Sequence, residues 1–345
     1  MIIPEIKMLA LSLTGKCNFA CKYCYASEHL KQDMSVDTAL KALQLITGKE
    51  KFILQFTGGE PLLNFECLKA IVLYVTANKL PAIMQLQTNG SLLTDEIAQF
   101  LFKYKVAIGL SLDGKPQMND KLRKTKNGQG ATTEIMQGFE VLRRNNIAVG
   151  ITCVVTSENV NSLEDIVEFA YFLGNVRLIG FDLLRKQGRG TDLMPPTQKE
   201  MAGAMQRVYD KVLVMEKLTG LKIKIAQVER AENLRHHRNH CFAHCYAMNG
   251  EAAFVAPNGD IYACSSLVGF PEFYLGNVER GLDSILCNDI GERIKQDMNF
   301  CRQCEVFAEC GGGCFSRWFG SDCQTSYASE CIMKKAAIKW QQENN

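Results

Sequence analysis

The segment Cys17-Asn18-Phe19-Ala20-Cys21-Lys22-Tyr23-Cys24 separates three cysteines by three and then two residues, shortly after an apolar run from Met8 to Leu13. Three thiolates in one loop can hold three irons of a cubane iron–sulfur cluster and leave the fourth iron open to a substrate. A structural zinc ion wants four ligands, and no further His or Cys in this loop supplies the fourth. The spacing therefore favours a four-iron cluster with an open iron, and zinc is the alternative.

The composition indicates a folded protein of a reducing compartment. Of 345 residues, 47% are hydrophobic, 22% are charged and 15 are cysteine, and 39 basic against 37 acidic residues leave a net charge of +2. This balance gives no basic field for nucleic acid or an anionic membrane. The first residues, MIIPEIK, lack the basic start and apolar core of a secretory signal, and no apolar run approaches the roughly 18 residues of a membrane span. We therefore expect a cytoplasmic protein without nucleic-acid or membrane partners, whose thiols bind metal rather than form disulfides.

Up to about Leu184, short β-branched runs alternate with segments of helical periodicity, which predicts parallel βαβ units. The predicted strands are Met8 to Leu13, Phe52 to Phe56, Ile83 to Gln87, Val106 to Leu112, Ala148 to Val155 and Val176 to Leu184. Six strands are too few for a full eight-stranded barrel, so the pattern predicts a partial (β/α)6 TIM-like barrel, and a doubly wound α/β sheet fits nearly as well. In either fold the functional side chains belong at the carboxyl ends of the strands.

The chain changes character after the last predicted strand. A polar loop at residues 185–191 reads as solvated, a helix follows Pro195 and Pro196, and from about His236 the sequence is rich in cysteine. We expect a barrel domain over residues 1–228 and a small cysteine-rich C-terminal iron–sulfur domain over 229–345. The second domain is predicted to hold a hairpin at 252–264, a final helix at 327–342 and little other regular structure.

The histidines His236, His240 and His244 are spaced by four residues. On a helix they would share one face, which would suit an extra metal site or a proton relay. A polar helix leading into the cysteine-rich segment is the alternative, and we favour it.

The cysteine loop, with aromatic Tyr23 before its last cysteine, resembles the signature of the radical S-adenosylmethionine (radical SAM) superfamily. Thr57-Gly58-Gly59-Glu60-Pro61 resembles the glycine-glycine-glutamate-proline segment of the same superfamily. The resemblance implies that Tyr23 and this segment bind the cofactor and that Glu60 meets its methionine amino group. Two glycines allow close backbone approach, and a carboxylate accepts hydrogen bonds from an ammonium group.

Two later segments, Gln87-Thr88-Asn89-Gly90 and Ser111-Leu112-Asp113-Gly114, resemble the peptide-modifying branch of the superfamily. The resemblance implies that Asn89 and Ser111 contact the ribose region and that Arg123 contacts the cofactor carboxylate. Each segment alone is equally well read as a turn with polar side chains, and Asp113 as a helix N-cap.

The C-terminal cysteines resemble the seven-cysteine SPASM extension of peptide and protein maturases, which usually holds two auxiliary four-iron four-sulfur (4Fe-4S) clusters. The resemblance implies that one cluster binds Cys301, Cys304, Cys310 and Cys331, and the other Cys245, Cys264, Cys314 and, as fourth ligand, Cys241. The gap from Cys241 to Cys245 is shorter than in sulfatase maturases, and Cys287 and Cys323 fall outside the pattern. Taken alone, the spacing also fits two zinc sites.

If the resemblance holds, Cys17, Cys21 and Cys24 bind the cluster whose open iron chelates S-adenosylmethionine. Reductive cleavage then gives a 5'-deoxyadenosyl radical that abstracts hydrogen from the substrate. The catalytic base is unassigned, and Asp113 and Asp182 are weak candidates at strand ends. The implied partners are a peptide or protein substrate and an electron donor of the flavodoxin or ferredoxin type.

The stretches Ile261-Tyr262-Ala263-Cys264 and Leu275-Gly276-Asn277-Val278 resemble peptide maturases. The leading hypothesis is oxidation of a ribosomal peptide, giving a thioether or another crosslink. An anaerobic sulfatase-maturing enzyme, which forms formylglycine on a Cys or Ser, is the first alternative, and a zinc-stabilised binding module without catalysis is the second. Since the first strand begins near Met8, we expect leader recognition to use a separate chain or the barrel rim.

Overall fold

The computed structural model describes residues 5–237, 241–320 and 324–344, and within them eleven strands form one sheet. The strands are β1 Met8–Thr14, β2 Phe52–Gly58, β3 Ala82–Thr88, β4 Ala107–Ser111, β5 Val149–Val155, β6 Val176–Leu183, β7 Lys224–Ile225, β8 Ala252–Val255, β9 Asp260–Tyr262, β10 Tyr274–Asn277 and β11 Gly281–Leu282. The helices are α1 Val36–Leu43, α2 Phe65–Ala77, α3 Asp95–Lys103, α4 Pro116–Leu122, α5 Thr132–Arg144, α6 Leu163–Leu173, α7 Gln198–Thr219, α8 Ala226–His237, α9 Ser284–Asp297, α10 Phe307–Cys310, α11 Phe315–Phe319 and α12 Gln324–Glu343.

Strands β1 to β6 lie side by side in chain order, and every neighbouring pair is parallel. A doubly wound sheet would reverse its order at a switch point, and none occurs between β1 and β6. Right-handed crossovers then place the connecting helices on one face, so the sheet curls into a partial barrel. The predicted partial barrel is confirmed, and each of its six predicted strands ends within two residues of the observed one.

The two faces of the barrel sheet differ in polarity. Apolar side chains on the helix-facing side, such as Leu11 and Leu54, are fully buried. The opposite, half-buried face carries Gln87, Ser111 and Thr152, which are joined by hydrogen bonds from Gln87 Nε2 to Ser111 Oγ (3.0 Å) and from Thr152 Oγ1 to Gln87 Oε1 (3.1 Å). The inner face of the partial barrel therefore carries a small number of linked polar groups, which a ligand site uses to orient what it binds.

Local signals set several helix boundaries. Ser35 and Thr94 accept hydrogen bonds from backbone N–H groups of α1 and α3, and Thr197 forms a capping box with Glu200 at the start of α7. Gly220, with φ 69°, ends α7 in the left-handed conformation that glycine adopts most readily. The pattern does not predict α4, because its seven residues show no apolar repeat. None of the described helices has the length and apolar content to cross a bilayer.

The cysteine-rich segment continues the same sheet. Strand β8 pairs in parallel with β1, and the predicted hairpin is confirmed as β8 and β9. The expectation of little other regular structure is wrong: β10 and β11 extend the sheet, α9 spans 14 residues and α12, the predicted final helix, spans 20. The ring of Trp340 stacks on that of Tyr209 at 5.2 Å, which docks α12 against α7. The boundary at residue 228 stays a prediction, and that residue lies inside α8.

Candidate active site

The loop with Cys17, Cys21 and Cys24 follows β1 at its carboxyl end and is held from two sides. On one side its backbone pairs with residues 122–125, where Ala20 N donates to Lys124 O (2.6 Å) and Lys22 N to Leu122 O (2.9 Å). The other side contacts the loop after β6. The three thiols therefore stand on a fixed backbone at the barrel mouth.

The loop after β6, residues 185–191, binds the cysteine loop and is not the solvated segment expected from its composition. Arg189 donates from Nε to Cys21 O (2.8 Å) and from its backbone N to Cys24 O (3.1 Å). A Cβ added at Gly188 would lie 2.6 Å from Cys24 O, too close for any real side chain. The glycine therefore permits a backbone contact that fixes the cysteine loop.

The thiols of the loop have the chemistry of cluster ligands. Burial raises the pKa of Cys21 to about 12 and raises that of Cys17, although the Arg123 guanidinium opposes the shift at Cys21. Buried thiolates need a compensating positive charge, which bound iron supplies, so metal binding and thiol deprotonation are coupled here. A soft, all-thiol donor set on a rigid loop fits an iron–sulfur cluster.

The glycine pair after β2 accommodates the cysteine loop itself. Gly59 N donates to Thr14 O (2.7 Å), and Glu60 N donates to Lys16 O (2.9 Å). A Cβ at Gly59 would lie 2.1 Å from Lys16 O, and Gly58 adopts φ 137°, which other residues rarely reach. The two glycines thus bring β2 against the backbone that carries Cys17, and their predicted approach to the cofactor stays a prediction.

The Glu60 carboxylate is buried and already accepts three hydrogen bonds. Thr88 Oγ1 donates to Oε1 (2.6 Å), Asn89 N to Oε2 (2.8 Å) and Leu62 N to Oε1 (3.1 Å). Burial raises the pKa of Glu60, while these hydrogen bonds oppose the rise. A carboxylate offers about four acceptor positions, so one position remains for the predicted ammonium contact.

An amide network joins the loop after β3 to the cysteine motif. Asn89 Nδ2 donates to Asn18 Oδ1 (2.9 Å), and Asn18 Nδ2 donates to Ser91 Oγ (2.8 Å). Ser111 accepts its hydrogen bond from Gln87 on the inner face. The ribose contacts expected of Asn89 and Ser111 stay predictions. Sequence reasoning did not single out Asn18, although its place between two predicted ligands was an available signal.

Asp113, Arg123 and Tyr23 form a buried cluster beneath the cysteine loop. Arg123 binds the Asp113 carboxylate twice: its Nε lies 2.8 Å from Oδ2, and its Nη2 donates to Oδ1 (3.0 Å). Asp113 also accepts from Tyr23 Oη at Oδ2 (2.5 Å) and from Val154 N at Oδ1 (2.8 Å). The Arg123 guanidinium also sits 5.3 Å from the Tyr23 ring centroid. The side chain predicted to meet the cofactor carboxylate therefore meets the chain's own carboxylate. Asp113 in turn holds the cysteine loop through Tyr23, and its role as a base stays a prediction.

The second candidate base, Asp182, is also occupied. Its Oδ2 lies 2.5 Å from Arg185 Nη1, and its Oδ1 contacts the guanidinium of Arg317 from the cysteine-rich segment. Both carboxylate oxygens of Asp182 therefore have cationic partners. The structure thus gives both predicted bases structural partners, and it brings a residue of α11 to the barrel mouth that sequence reasoning missed.

Seven of the eight C-terminal cysteines predicted as ligands, all except Cys241, fall into two sets of neighbouring residues, and their binding of clusters stays a prediction. Burial and then Glu330 raise the pKa of Cys314 to about 11, and the thiols of Cys264 and Cys245 add to this shift. Burial and then Glu330 likewise raise the pKa of Cys331 to about 12, with Cys310 and Cys301 contributing. Cys304 N donates to Cys301 O (3.0 Å), which places Cys304 with the second group. Each group is a set of neighbouring, largely half-buried thiols, which fits an auxiliary cluster.

The exposed Cys241, the spaced histidines, Cys287 and Cys323 remain to be placed. Cys241 is exposed and shares a surface pocket with Cys245, so its ligand role stays a prediction. His244 lies in irregular chain beyond α8, beside Arg230 (Nδ1 to Nη1, 3.0 Å). The side chain of His236, together with His240 and Cys323, lies outside the described residues. Cys287 is buried in the core at 2% exposure.

A single-ion site is not preformed in the described ranges, where no three His, Cys, Asp or Glu side chains converge as ligands of one metal ion would.

The model of the Radical SAM superfamily matches residues 11–170. An uncharacterized protein of Methanocaldococcus jannaschii is 34% identical over 280 residues, which are 80% of this chain and 90% of that protein. The chain belongs to the radical SAM superfamily. A model of the iron–sulfur cluster-binding (SPASM) domain matches residues 225–305. This radical SAM enzyme thus uses S-adenosylmethionine and 4Fe-4S clusters, of which three are typical of the family.

Further relatives include maturation enzymes. The radical SAM cyclopropyl synthase TigE of Paramaledivibacter caminithermalis is 25% identical over 339 residues, covering 90% of this radical SAM enzyme and 68% of TigE. The serine-type anaerobic sulfatase-maturating enzyme of Bacteroides thetaiotaomicron is 25% identical over 341 residues, covering 86% and 80%.

Two solved structures show the same fold. Native anSMEcpe with bound AdoMet superposes with a TM-score of 0.79 at 20% identity, covering 97% of each chain. Streptococcus suis SuiB bound to its precursor peptide SuiA superposes with a TM-score of 0.64 at 15% identity, covering 93% of this chain and 74% of SuiB. The predicted family and fold are confirmed.

Proposed function

We propose that this radical SAM enzyme oxidises a ribosomally made peptide and forms a thioether or another crosslink within it. The observation that carries the proposal is the position of the polar inner face between two thiol groups. The cysteine loop closes the barrel mouth after β1, and Asp182 on β6 reaches Arg317 beside Cys314. A substrate carbon in this space would lie between S-adenosylmethionine and the auxiliary cluster. The proposed oxidation needs both neighbours, because the first supplies the radical and the second accepts an electron.

When bound, the iron–sulfur groups and S-adenosylmethionine supply a radical that takes a hydrogen atom from the peptide and an acceptor for one electron. The chain's own residues position and enclose the reactants. Residues 122–125 and Arg189 hold the cysteine loop. Gln87, Ser111 and Thr152 offer hydrogen bonds along the inner face, and buried Leu11 and Leu54 behind it seal the core from water.

Formation of one thioether removes two hydrogens from the peptide. A carbon–hydrogen bond loses its hydrogen atom, the cysteine thiol loses its proton, one electron leaves, and a carbon–sulfur bond forms. The proposed electron donor for the reductive start is a flavodoxin or ferredoxin, and leader recognition would use a separate chain. The described cysteines are all free thiols, which suits the proposed cytoplasmic location.

A second candidate function is formylglycine formation on a Cys or Ser of a sulfatase. It is supported by the likeness to the serine-type sulfatase-maturating enzyme, which covers 86% of the chain. This reaction also removes two hydrogens. Serine then gives the aldehyde directly, whereas cysteine gives a thioaldehyde that water converts to the aldehyde with release of hydrogen sulfide. The two functions therefore differ in product and not in the initial hydrogen abstraction.

The experiment is incubation of the reduced enzyme and S-adenosylmethionine with the small cysteine-rich peptides encoded beside its gene. We expect a mass loss of two hydrogens per crosslink and one 5'-deoxyadenosine for each event. The crosslinked cysteine should resist iodoacetamide, whereas an aldehyde product should react with a hydrazide probe. Peptides whose cysteines are replaced by alanine serve as the matched control.

Peptide oxidation is contradicted if these peptides keep their mass while 5'-deoxyadenosine forms. A hydrazide-reactive product on a sulfatase peptide would instead establish the second candidate.

A further inference from the structure

A chain of buried charges links the barrel to the cysteine-rich segment, and the proposed function uses only its contact of Asp182 with Arg317. Its centre is the pair of Arg317 on α11 and Glu330 on α12, whose side chains are 7% and 0% exposed. Arg317 Nη1 lies 3.0 Å from Glu330 Oε2. From its other edge, Arg317 donates through Nε to Leu183 O (3.1 Å) and contacts Asp182. One guanidinium thus binds the end of β6 and α12 at once.

The barrel end of this chain reaches the cysteine loop. Asp182 pairs with Arg185, and the Arg185 guanidinium lies 5.1 Å from the ring centroid of Tyr25, the residue after Cys24. Tyr25 Oη in turn donates to Ser265 Oγ (3.1 Å), one residue after Cys264. Each step is a direct contact, so the chain of contacts runs from one cluster loop to another.

The other end contacts both auxiliary groups. Glu330 Oε1 accepts from Cys314 N (3.1 Å) and lies 3.0 Å from Lys334 Nζ. Lys334 donates to Gly312 O (2.9 Å), on the loop between Cys310 and Cys314. Glu330 also precedes Cys331 directly in sequence. The Glu330 carboxylate therefore binds the backbone of a predicted ligand of one group, and Glu330 is the chain neighbour of a predicted ligand of the other.

Stability alone is a weak reason for such an arrangement. When two charges are buried, their mutual attraction barely offsets the free energy of hydration that they lose. Well-packed apolar residues therefore often replace a buried ion pair without loss of stability. The charges also surround a cavity of about 310 Å³ lined by Cys310 and Cys314. Charges fixed near a cluster change its reduction potential, because a negative charge disfavours the added electron and a positive charge favours it.

We propose that Glu330 and Arg317 are positioning residues that hold the Cys314 loop against β6 and set the reduction potential of the auxiliary cluster bound there. Glu330 keeps this potential low, and Arg317 keeps it high. The inference depends on clusters at these cysteines and not on the identity of the peptide, so it stands or falls separately from the proposed function.

The test is a redox titration of the anaerobically purified holoenzyme, followed by electron paramagnetic resonance without peptide. Glu330→Gln keeps the shape and an acceptor for Cys314 N but removes the negative charge, so the midpoint potential of one auxiliary cluster should rise. Arg317→Met should lower it. Glu343→Gln is the matched control, because Glu343 lies on the same helix in an exposed pair with Lys339 and should leave every potential unchanged.

Iron content is measured on each variant so that loss of a cluster is not read as a shift. If Arg317→Met does not fold, Arg317→Lys takes its place. Lysine keeps the positive charge but lacks the guanidinium group that binds Glu330 and Leu183 O at once, so the potential should stay close to wild type. Amide hydrogen exchange over residues 312–318 should nevertheless rise in it. The proposal is overturned if Glu330→Gln retains wild-type potentials, if both charge changes shift the potential in the same direction, or if exchange in Arg317→Lys matches the wild type.

Discussion

Replacing Cys17, Cys21 and Cys24 together by alanine should reduce 5'-deoxyadenosine formation to the background of the enzyme-free reaction. The three thiols are the ligands that the superfamily signature assigns to the S-adenosylmethionine cluster, and the structure places them on one clamped loop at the barrel mouth. Without them no open iron is present to chelate the sulfonium ligand. The measurement is chromatography of the nucleoside products after anaerobic reduction, with S-adenosylmethionine in excess.

The matched control for the triple variant is Cys67→Ala. Cys67 is a buried thiol of α2 at 3% exposure, outside the cysteine motif that the superfamily signature assigns to the cluster. Its replacement should leave 5'-deoxyadenosine formation close to wild type. Cleavage by the triple variant at the wild-type rate would remove the radical assignment.

Arg123→Met should lower the free energy of unfolding by about 3–5 kcal/mol, because it leaves the buried Asp113 carboxylate without its charged partner. The two side chains are 6% and 0% exposed. The loss should also loosen the cysteine loop, since residues 122–125 pair with it. Anaerobic urea unfolding, followed by tryptophan fluorescence, measures the change.

An exposed arginine–aspartate pair supplies the control. Arg144 binds Asp95 through two nitrogens, but both side chains are about half exposed. Arg144→Met should therefore change the free energy of unfolding by only about 0–1 kcal/mol. If Arg123→Met has wild-type stability and instead weakens S-adenosylmethionine binding, Arg123 contacts the cofactor carboxylate as the superfamily resemblance implied.

The sequence was sufficient for the strands and helices of the barrel, because their signals are local, but it left a doubly wound sheet as an alternative. The strands appear as short β-branched runs, and the helices between them carry their own periodicity and caps. The cysteine spacing was equally informative, since a loop motif depends on neighbours in the chain. These features are determined within about twenty residues, so a single sequence contains them.

The contacts that complete the site were not predictable in the same way. Strand β8 pairs with β1 although more than two hundred residues separate them in the chain, and neither strand carries a sequence signal that identifies the other. The loop at 185–191 has the composition of a solvated loop, yet it clamps the cysteine loop because two distant backbones meet there. Arg123 was predicted to meet the cofactor carboxylate and Glu330 was not singled out, because only the packing of several elements buries both beside their partners.

The most direct test of the account is the metal content of the anaerobically purified chain. Three 4Fe-4S clusters predict a brown protein with about twelve irons and as many sulfides per chain, and the triple cysteine variant should retain about eight. A colourless chain that carries a few zinc ions and no sulfide would contradict the account.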